Sequence, residues 1–188
     1  MKKSNAGPEY LDILDENGNA AGRIKQRSRV HFDGDWHRTA HMWIEDGQGS
    51  VLIQKRGPHK FPYPDMWDVS CAGHVRAGDS SRKAALREAD EELGMRISPL
   101  ELRFLGTVRD SFTDGNTHDN EIVDIFVVQR AVDPKRCRLQ DDEVADVRLI
   151  AVDDLKERIQ NNDPAFVPHR HEYQKLFAFL GERNYAAK

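Results

Sequence analysis

One short stretch, residues 73–95, constrains the fold of this chain more than any other. It reads GHVRAGDSSRKAALREADEELGM, with polar turn residues first, then helix-forming residues, then a glycine near its end. Gly94 is placed to end a helix in the left-handed conformation. Three residues are candidates for the helix N-cap: Asp79, Ser80 and Ser81. The apolar positions recur every four residues, which predicts a helix that packs along one stripe: Ala85, Ala89 and Leu93.

The same helix carries three carboxylates on one face. Glu88, Glu91 and Glu92 are spaced i, i+3 and i+4, so their side chains project as neighbours. Two carboxylates about 4 Å apart repel by roughly 4 kcal/mol at an effective dielectric near 20, which favours a nearby cation. Hard oxygen donors suit Mg²⁺ or Mn²⁺ better than zinc. An isolated acidic cluster is more often a solvated helix face, so the flanking residues decide between the two interpretations.

Those flanking residues resemble the Nudix box, Gly-x5-Glu-x7-Arg-Glu-U-x-Glu-Glu-x-Gly-U, where U is apolar. Gly73, the Arg87-Glu88 pair, the Glu91-Glu92 pair, Gly94 and the two apolar positions all match at the right spacing. The single departure is Asp79, which keeps the negative charge of the expected Glu but is shorter by one methylene.

The resemblance implies both a fold and a reaction. The fold is an α/β (α+β) Nudix-type α/β/α sandwich with a mixed central sheet. The reaction is attack of water on a phosphorus atom of a diphosphate, helped by metal ions that polarise the diphosphate and lower the pKa of bound water. The implied metal ligands are the Gly73 carbonyl, Glu88, Glu91, Glu92 and Glu121. The implied catalytic residues are Glu88, Glu121 and Arg87, which orients Glu88; the general base is open among Glu88, Glu121 and Glu143.

Segments outside the box resemble a narrower branch of this family, the one related to type I isopentenyl-diphosphate isomerase. These segments are WHRTAHMWI, LIQKRGPHKFPYPDMWDVSCAGHV, DNEIVDIF, DDEVADV and DPAFVP. The resemblance implies that Arg56 and Lys60 bind the substrate phosphates. It also implies a second metal site at His37, His74 and Asp119, with Glu121 beside it. His31 is the weakest match because its spacing to His37 is one residue short, and His41 lacks a motif context.

The isomerase chemistry itself is not expected. The isomerases place a catalytic Cys directly before the Gly-His of the box entry, whereas here Ala72 precedes Gly73 and Cys71 lies one position earlier. A shift of one residue turns a strand side chain to the opposite face, so Cys71 is interpreted as a buried small hydrophobe. The intact box favours hydrolysis. Two alternatives stay open: an isomerase that uses Cys71, and a catalytically weak nucleotide-binding module, which the departure at Asp79 favours.

The composition limits the kinds of molecule that this chain is expected to bind. The 188 residues carry a net charge of −4, so no basic field predicts a nucleic acid polymer or an anionic membrane as a partner. The apolar runs are too short to span a bilayer, and no signal-peptide core follows the first four residues. Only Cys71 and Cys137 are present, which predicts no disulfide framework and a cytoplasmic location. The expected partner is a small-molecule diphosphate, and a homodimer is left open.

The predicted organisation is a flexible tail at residues 1–8 followed by one Nudix domain at residues 9–188. The domain begins with a β-hairpin at residues 10–14 and 21–26, around an Asn-Gly turn. Substrate preference is assigned to loops such as residues 110–118, and Trp36 or Trp67 could stack on a base, although core packing is the commoner use. Further strands are predicted at residues 39–44, 51–55, 67–72, 102–109, 122–129 and 144–151, and further helices at residues 153–160 and 171–181.

Overall fold

A nine-stranded sheet with four α-helices organises the part of the chain that the computed structural model describes, the backbone of residues 7–186 and the side chains of residues 7–181. Most of the predicted tail, residues 1–6, lies outside the described residues. The strands are β1 (Tyr10–Leu14), β2 (Ala20–Gln26), β3 (Trp36–Glu45), β4 (Ser50–Arg56), β5 (Trp67–Asp68), β6 (Cys71–His74), β7 (Arg103–Asp114), β8 (Thr117–Gln129) and β9 (Val144–Ala151). The helices are α1 (Arg27–Asp33), α2 (Ser81–Leu93), α3 (Val152–Gln160) and α4 (Arg170–Ala186).

Strand β3 lies at the centre of the sheet and makes it mixed. It runs parallel to β8, with Trp36 opposite Asn120 and Glu45 opposite Gln129. It runs antiparallel to β1, β4 and β6. The hairpin of β7 and β8 extends the sheet on one side, and β4 carries β5 and β9 on the other. The predicted mixed sheet is therefore confirmed, as is the N-terminal hairpin of β1 and β2.

Helices cover both faces of the sheet, as the sandwich prediction requires. Alternation along β3 sends Met42 and Ile44 into a core shared with α2, and Trp43 into a core shared with α3 and α4. Leu176 and Leu180 of α4 are buried in the second core. None of the described helices is long and apolar enough to cross a bilayer.

Helix α2 is the predicted box helix and begins and ends as expected. The Ser80 hydroxyl accepts from the backbone N–H of Lys83 at 3.2 Å and caps the first turn. Gly94 closes the helix with φ 67°. Asp79 is not the cap; its carboxylate binds the Lys83 ammonium at 2.6 Å. The predicted stripe is fully buried: Ala85, Ala89 and Leu93.

Two local predictions are wrong, and one helix was not predicted. The strand expected at residues 67–72 is two short strands, β5 on β4 and β6 on β3. The loop expected at residues 110–118 is mostly the paired end of the β7–β8 hairpin, because Asp110 pairs with Glu121 and Phe112 with Asp119. Polar residues on these strands obscured the alternation of apolar and polar positions from which a strand is predicted. Helix α1 was missed because it is short, buries only Val30 and has no side-chain cap.

Candidate functional site

A cleft of about 1040 Å³ opens where strands β3, β6, β7 and β8 meet the β4–β5 connection and helix α2. All the predicted site residues line it except His37 and Glu92, which are fully buried. The lining includes Arg56, Lys60, Gly73, His74, Arg87, Glu88, Glu91, Asp119, Glu121 and Glu143.

Four side chains converge at one end of this cleft: His31, His37, His74 and Asp119. One ligand atom from each lies within 4.8 Å of the others. The two Nε2 atoms of His31 and His74 are 3.2 Å apart, and His37 Nε2 is 3.4 Å from Asp119 Oδ1. His37 Nδ1 lies 3.2 Å from the Asp35 carbonyl and donates to it, which turns Nε2 toward Asp119. Against the effect of burial, the carboxylates of Asp119 and Glu121 raise the pKa of His37, so an ion that binds Nε2 would displace a proton. We call these four residues the histidine cluster.

The histidine cluster has the chemistry of a metal site. His37 Nε2 and Asp119 Oδ1 are buried and have no hydrogen-bond partner among the described residues, an arrangement that costs free energy unless an ion satisfies both. Burial lowers the pKa of His31 to about 4 and that of His74 well below its usual range, so both rings are neutral as metal ligands must be. The residues present therefore fit a divalent metal.

The structure places His31 in the histidine cluster, although its spacing in the sequence gave it low weight. Helix α1, which the sequence prediction lacked, carries His31 in its last turn. Gly34 then ends the helix with φ 69°, and the chain turns directly into β3 at Trp36. This tight reversal brings His31 back over His37, with ring centroids 5.0 Å apart, although the spacing differs from the expected one.

Gly73 and Glu88 are packed against each other so closely that any larger residue at position 73 would force the Glu88 side chain to move. A Cβ atom at position 73 would lie 2.1 Å from Glu88 Oε1. The Arg87 guanidinium holds Glu88 Oε1 at 2.6 Å and donates to the His74 carbonyl at 2.8 Å, which ties the box helix to the histidine cluster. Burial and then the charge of Glu92 raise the pKa of Glu88 to about 8.

The structure does not bring the three box carboxylates into one cluster. Glu92 is buried and accepts from Lys60 Nζ at 2.6 Å, and from Gln54 Nε2 and the Ala72 N–H at 3.1 Å each. Glu91 is 46% exposed and binds Arg87 at 3.1 Å. Among the described residues two groups of candidate ligands converge, and neither contains a box carboxylate. Cations of the protein neutralise these carboxylates here, and their role as metal ligands stays a prediction.

The two predicted phosphate-binding cations are held at the cleft surface. Arg56 Nη1 donates to Asp68 Oδ2 at 2.8 Å and Nε donates to the Pro62 carbonyl at 3.0 Å. These two bonds orient the guanidinium beside the cleft that it lines. Lys60 lies between Glu92 and Glu143, at 2.6 and 3.1 Å, and both charges raise the pKa of Lys60 against the effect of its burial.

The predicted alternation at the start of β8 is confirmed. Asp119 and Glu121 both line the cleft, whereas the Asn120 side chain donates to the Gly34 carbonyl at 2.9 Å. Glu121 Oε1 lies 3.9 Å from His37 Nε2. Burial and then the charge of Asp119 raise the pKa of Glu121 to about 7. Cys71 is fully buried in the core on the α2 side, as its strand position predicts.

Sequence reasoning missed a second, buried set of charged residues along the cleft floor. His169 Nε2 lies 3.0 Å from Asp68 Oδ1, and Nδ1 lies 3.2 Å from Asp110 Oδ2. Because carboxylates only accept hydrogen bonds, both nitrogens carry protons and His169 is an imidazolium, consistent with the strongly raised pKa that these two carboxylates cause against burial. Nearby, His41 Nδ1 binds Glu172 at 2.7 Å. These residues come from distant elements and share no motif.

Comparison with known proteins identifies the family. The family model described as NUDIX domain matches residues 35–170. The chain belongs to the Nudix family. It is 35% identical over 182 residues to Nudix hydrolase 3 of Arabidopsis thaliana, a match that covers 93% of this chain but only 24% of that protein. It is 33% identical over 196 residues to an uncharacterized Nudix hydrolase of Clostridium acetobutylicum, with 89% and 94% of the two chains covered.

The narrower resemblance is also found. An isopentenyl-diphosphate Delta-isomerase of Streptomyces griseus is 31% identical over 150 residues, which cover 79% of this chain and 74% of that protein. Among solved structures, DR0079 from Deinococcus radiodurans aligns with a TM-score of 0.64 at 22% identity, with 81% and 90% of the chains covered. This likeness confirms the Nudix fold, and the hydrolase relatives support assignment of the chain as a Nudix hydrolase.

Proposed function

We propose that this Nudix hydrolase is a metal-dependent pyrophosphohydrolase that cleaves a nucleoside diphosphate-linked or related small-molecule diphosphate. The observation that carries the proposal is the composition of the cleft. Oriented cations, three members of the histidine cluster (His31, His74 and Asp119) and carboxylates with raised pKa values all face one volume. A diphosphate and a divalent ion are the ligands whose charges complement this arrangement.

Two kinds of metal donor are available. The histidine cluster is rich in imidazole, which favours an ion such as Zn²⁺ over Mg²⁺. Mg²⁺ or Mn²⁺ suits the oxygen donors of the box, and Glu88, Glu91, Glu92 and the Gly73 carbonyl would hold it once the ion replaced Lys60 and Arg87 as the partner of these carboxylates. A bound divalent ion supplies Lewis-acid polarisation of phosphoryl oxygens and makes water more acidic.

The protein's own groups would bind the diphosphate and move the proton. Arg56 is oriented by Asp68 and Pro62, so less conformational freedom is lost when it contacts a phosphate. Glu88 and Glu121, with pKa values of about 8 and 7, can exchange a proton near neutral pH, so either can take the proton of the attacking water. Glu143 is a weaker candidate because it is exposed and binds Lys60.

Two features favour hydrolysis over isomerisation. Cys71 is buried on the α2 side, and Ala72 faces the cleft in its place. An isopentenyl group needs apolar surroundings, yet the cleft floor presents His41, Asp68 and His169. The departure at Asp79 was the observation that favoured a binding module. It no longer does so, because Asp79 pairs with Lys83 and is not part of the cleft lining.

The test is a release assay with metal-free protein to which Mg²⁺, Mn²⁺ or Zn²⁺ is returned. The substrates are nucleotide diphosphates, nucleotide-sugars and isopentenyl diphosphate. We expect metal-dependent cleavage of a nucleotide-linked diphosphate and no dimethylallyl diphosphate. His37→Asn should lower both bound metal, measured by elemental analysis, and turnover, whereas the exposed His171→Asn should change neither. Isomer formation without hydrolysis, or equal metal content in the two variants, would contradict the proposal.

A further inference from the structure

Three aromatic side chains form a wall along one side of the cleft: Phe61, Tyr63 and Phe112. Phe61 and Tyr63 belong to the β4–β5 connection and Phe112 to β7. The ring centroids of Phe61 and Phe112 are 5.7 Å apart and those of Tyr63 and Phe112 are 5.1 Å apart, both in edge-on geometry. All three residues line the cleft. We call them the aromatic wall.

Core packing does not account for the aromatic wall. None of its members belongs to a hydrophobic core cluster of the described residues, and Phe61 is 51% exposed. Tyr63 also has φ 61°, in the left-handed region that bulky residues rarely occupy. Backbone conformations of this kind concentrate at ligand-binding sites. An exposed Phe61, next to a half-buried Tyr63 held in an unfavourable backbone conformation, therefore indicates a surface that contacts a ligand.

The wall lies directly beside the groups expected to bind phosphate. Pro62, between Phe61 and Tyr63, accepts the hydrogen bond from Arg56 Nε at 3.0 Å. On β7, Asp110 and Phe112 are two residues apart and share a strand face. The Asp110 side chain is 44% exposed and lines the cleft, so its carboxylate can accept a hydrogen bond from a ligand as well as from His169.

We propose that the aromatic wall is the subsite for the planar base of a nucleotide, with Asp110 accepting from donor groups on the base edge and Arg56 contacting the adjoining phosphate. A flat ring can stack on exposed aromatic side chains, and a carboxylate selects a ring with N–H donors. An isoprenyl chain would gain contact area on the rings but has no N–H group to donate to Asp110. This proposal rests on the proposed function and names its substrate class.

The test compares two ligands that differ only in the base. Binding of AMP and of ribose 5-phosphate is measured by titration calorimetry with the full chain. We expect AMP to bind roughly ten- to a hundredfold more tightly, the range for one stacked base. Phe112→Leu and Phe61→Leu should weaken AMP binding without changing the affinity for ribose 5-phosphate. Phe104→Leu is the matched control, because Phe104 is 53% exposed and is not among the cleft-lining residues.

Three outcomes would overturn the subsite. They are equal affinity of the wild type for the two ligands, an AMP preference that survives both wall substitutions, and an equal loss of geranyl diphosphate binding in those variants, which would make the wall a general apolar surface. The readout needs no turnover. If the protein prefers AMP through the aromatic wall but hydrolyses no substrate, the subsite proposal stands and the hydrolase proposal fails. If it hydrolyses a diphosphate without preferring AMP, the hydrolase proposal stands and the subsite proposal fails.

Discussion

Replacement of Gly73 by alanine tests whether the box glycine serves to position Glu88. The backbone of Gly73 is not in the left-handed region, so alanine can adopt it and only space is at issue. The added Cβ would lie 2.1 Å from Oε1, 2.3 Å from Cδ and 2.8 Å from Cγ of Glu88. Because non-bonded heavy atoms rest about 3.5–4.0 Å apart, the Glu88 carboxylate must move by more than about 1 Å.

The size of the effect follows from that displacement. A reacting group misplaced by about 1 Å costs on the order of a hundredfold in rate. Crowding of one methyl group into a packed site costs about 1–3 kcal/mol of unfolding free energy. The displaced Glu88 also leaves its contact with Arg87. We therefore expect Gly73→Ala to fold with a modest loss of stability and to lose about a hundredfold in turnover.

The assay is product release under saturating metal, with urea unfolding measured in parallel. Gly22→Ala is the stability control, because Gly22 has φ 67° and no atom within 4 Å of an added Cβ, so its substitution costs about 1–2 kcal/mol of backbone strain away from the cleft. It should keep full turnover. If Gly73 acts through Glu88, Gly73→Ala in a Glu88→Gln background should cause little further loss. Equal turnover of the Gly73→Ala and Gly22→Ala variants would refute the reasoning.

Three further predictions concern residues of the site and residues packed beside it. Glu121→Gln should lower turnover strongly and change its metal dependence. Asn120→Ala should cost about 1 kcal/mol of stability and retain turnover, because it loses only the hydrogen bond to the Gly34 carbonyl. The two variants are compared by steady-state kinetics at limiting metal, and equal turnover would show that Glu121 is not part of the site. Cys71→Ala should leave hydrolysis unchanged in the same assay, and loss of activity would show that the thiol takes part. The raised pKa of His169 contributes stability that is complete below its unfolded value of about 6.5 and is lost as pH rises through the folded value. The stability advantage of the wild type over His169→Gln in urea titrations should therefore shrink as the pH rises above about 6.5, and a constant difference would contradict the assignment.

The box helix was predictable because its determinants are local. The Ser80 cap, the apolar stripe and Gly94 lie within one continuous segment, and helix geometry alone places Glu88 and Glu92 on neighbouring positions. The strand alternation that turns Cys71 away from the cleft is equally local. Helix geometry could not predict every cation of the protein that pairs with these carboxylates. Arg87 and Glu91 form an i, i+4 pair within α2, but Lys60 contacts Glu92 from the β4–β5 connection, and that contact depends on tertiary packing.

The rest of the site depends on tertiary contacts that leave little trace in the chain. His169, Asp68 and Asp110 form hydrogen bonds across 59 and 101 residues of sequence separation. His31 was undervalued because a spacing rule assumes a particular connection, and α1 provides another. Such groups are recognisable only after the sheet order is known, when buried polar atoms without partners, or histidines between two carboxylates, can be identified.

Strand β3 explains why the histidine cluster and the charged residues of the cleft floor lie in one cleft. Its residues His37, Thr39 and His41 alternate with core residues and so lie on one strand face. Pairing with β6 sets Thr39 opposite His74, and the parallel strand β8 sets Glu121 beside His37. A slip of one residue in β3 would turn all three side chains toward the α2 core and remove His37 from the cluster. The positions of these groups are therefore set by hydrogen-bonded registers on both sides of β3.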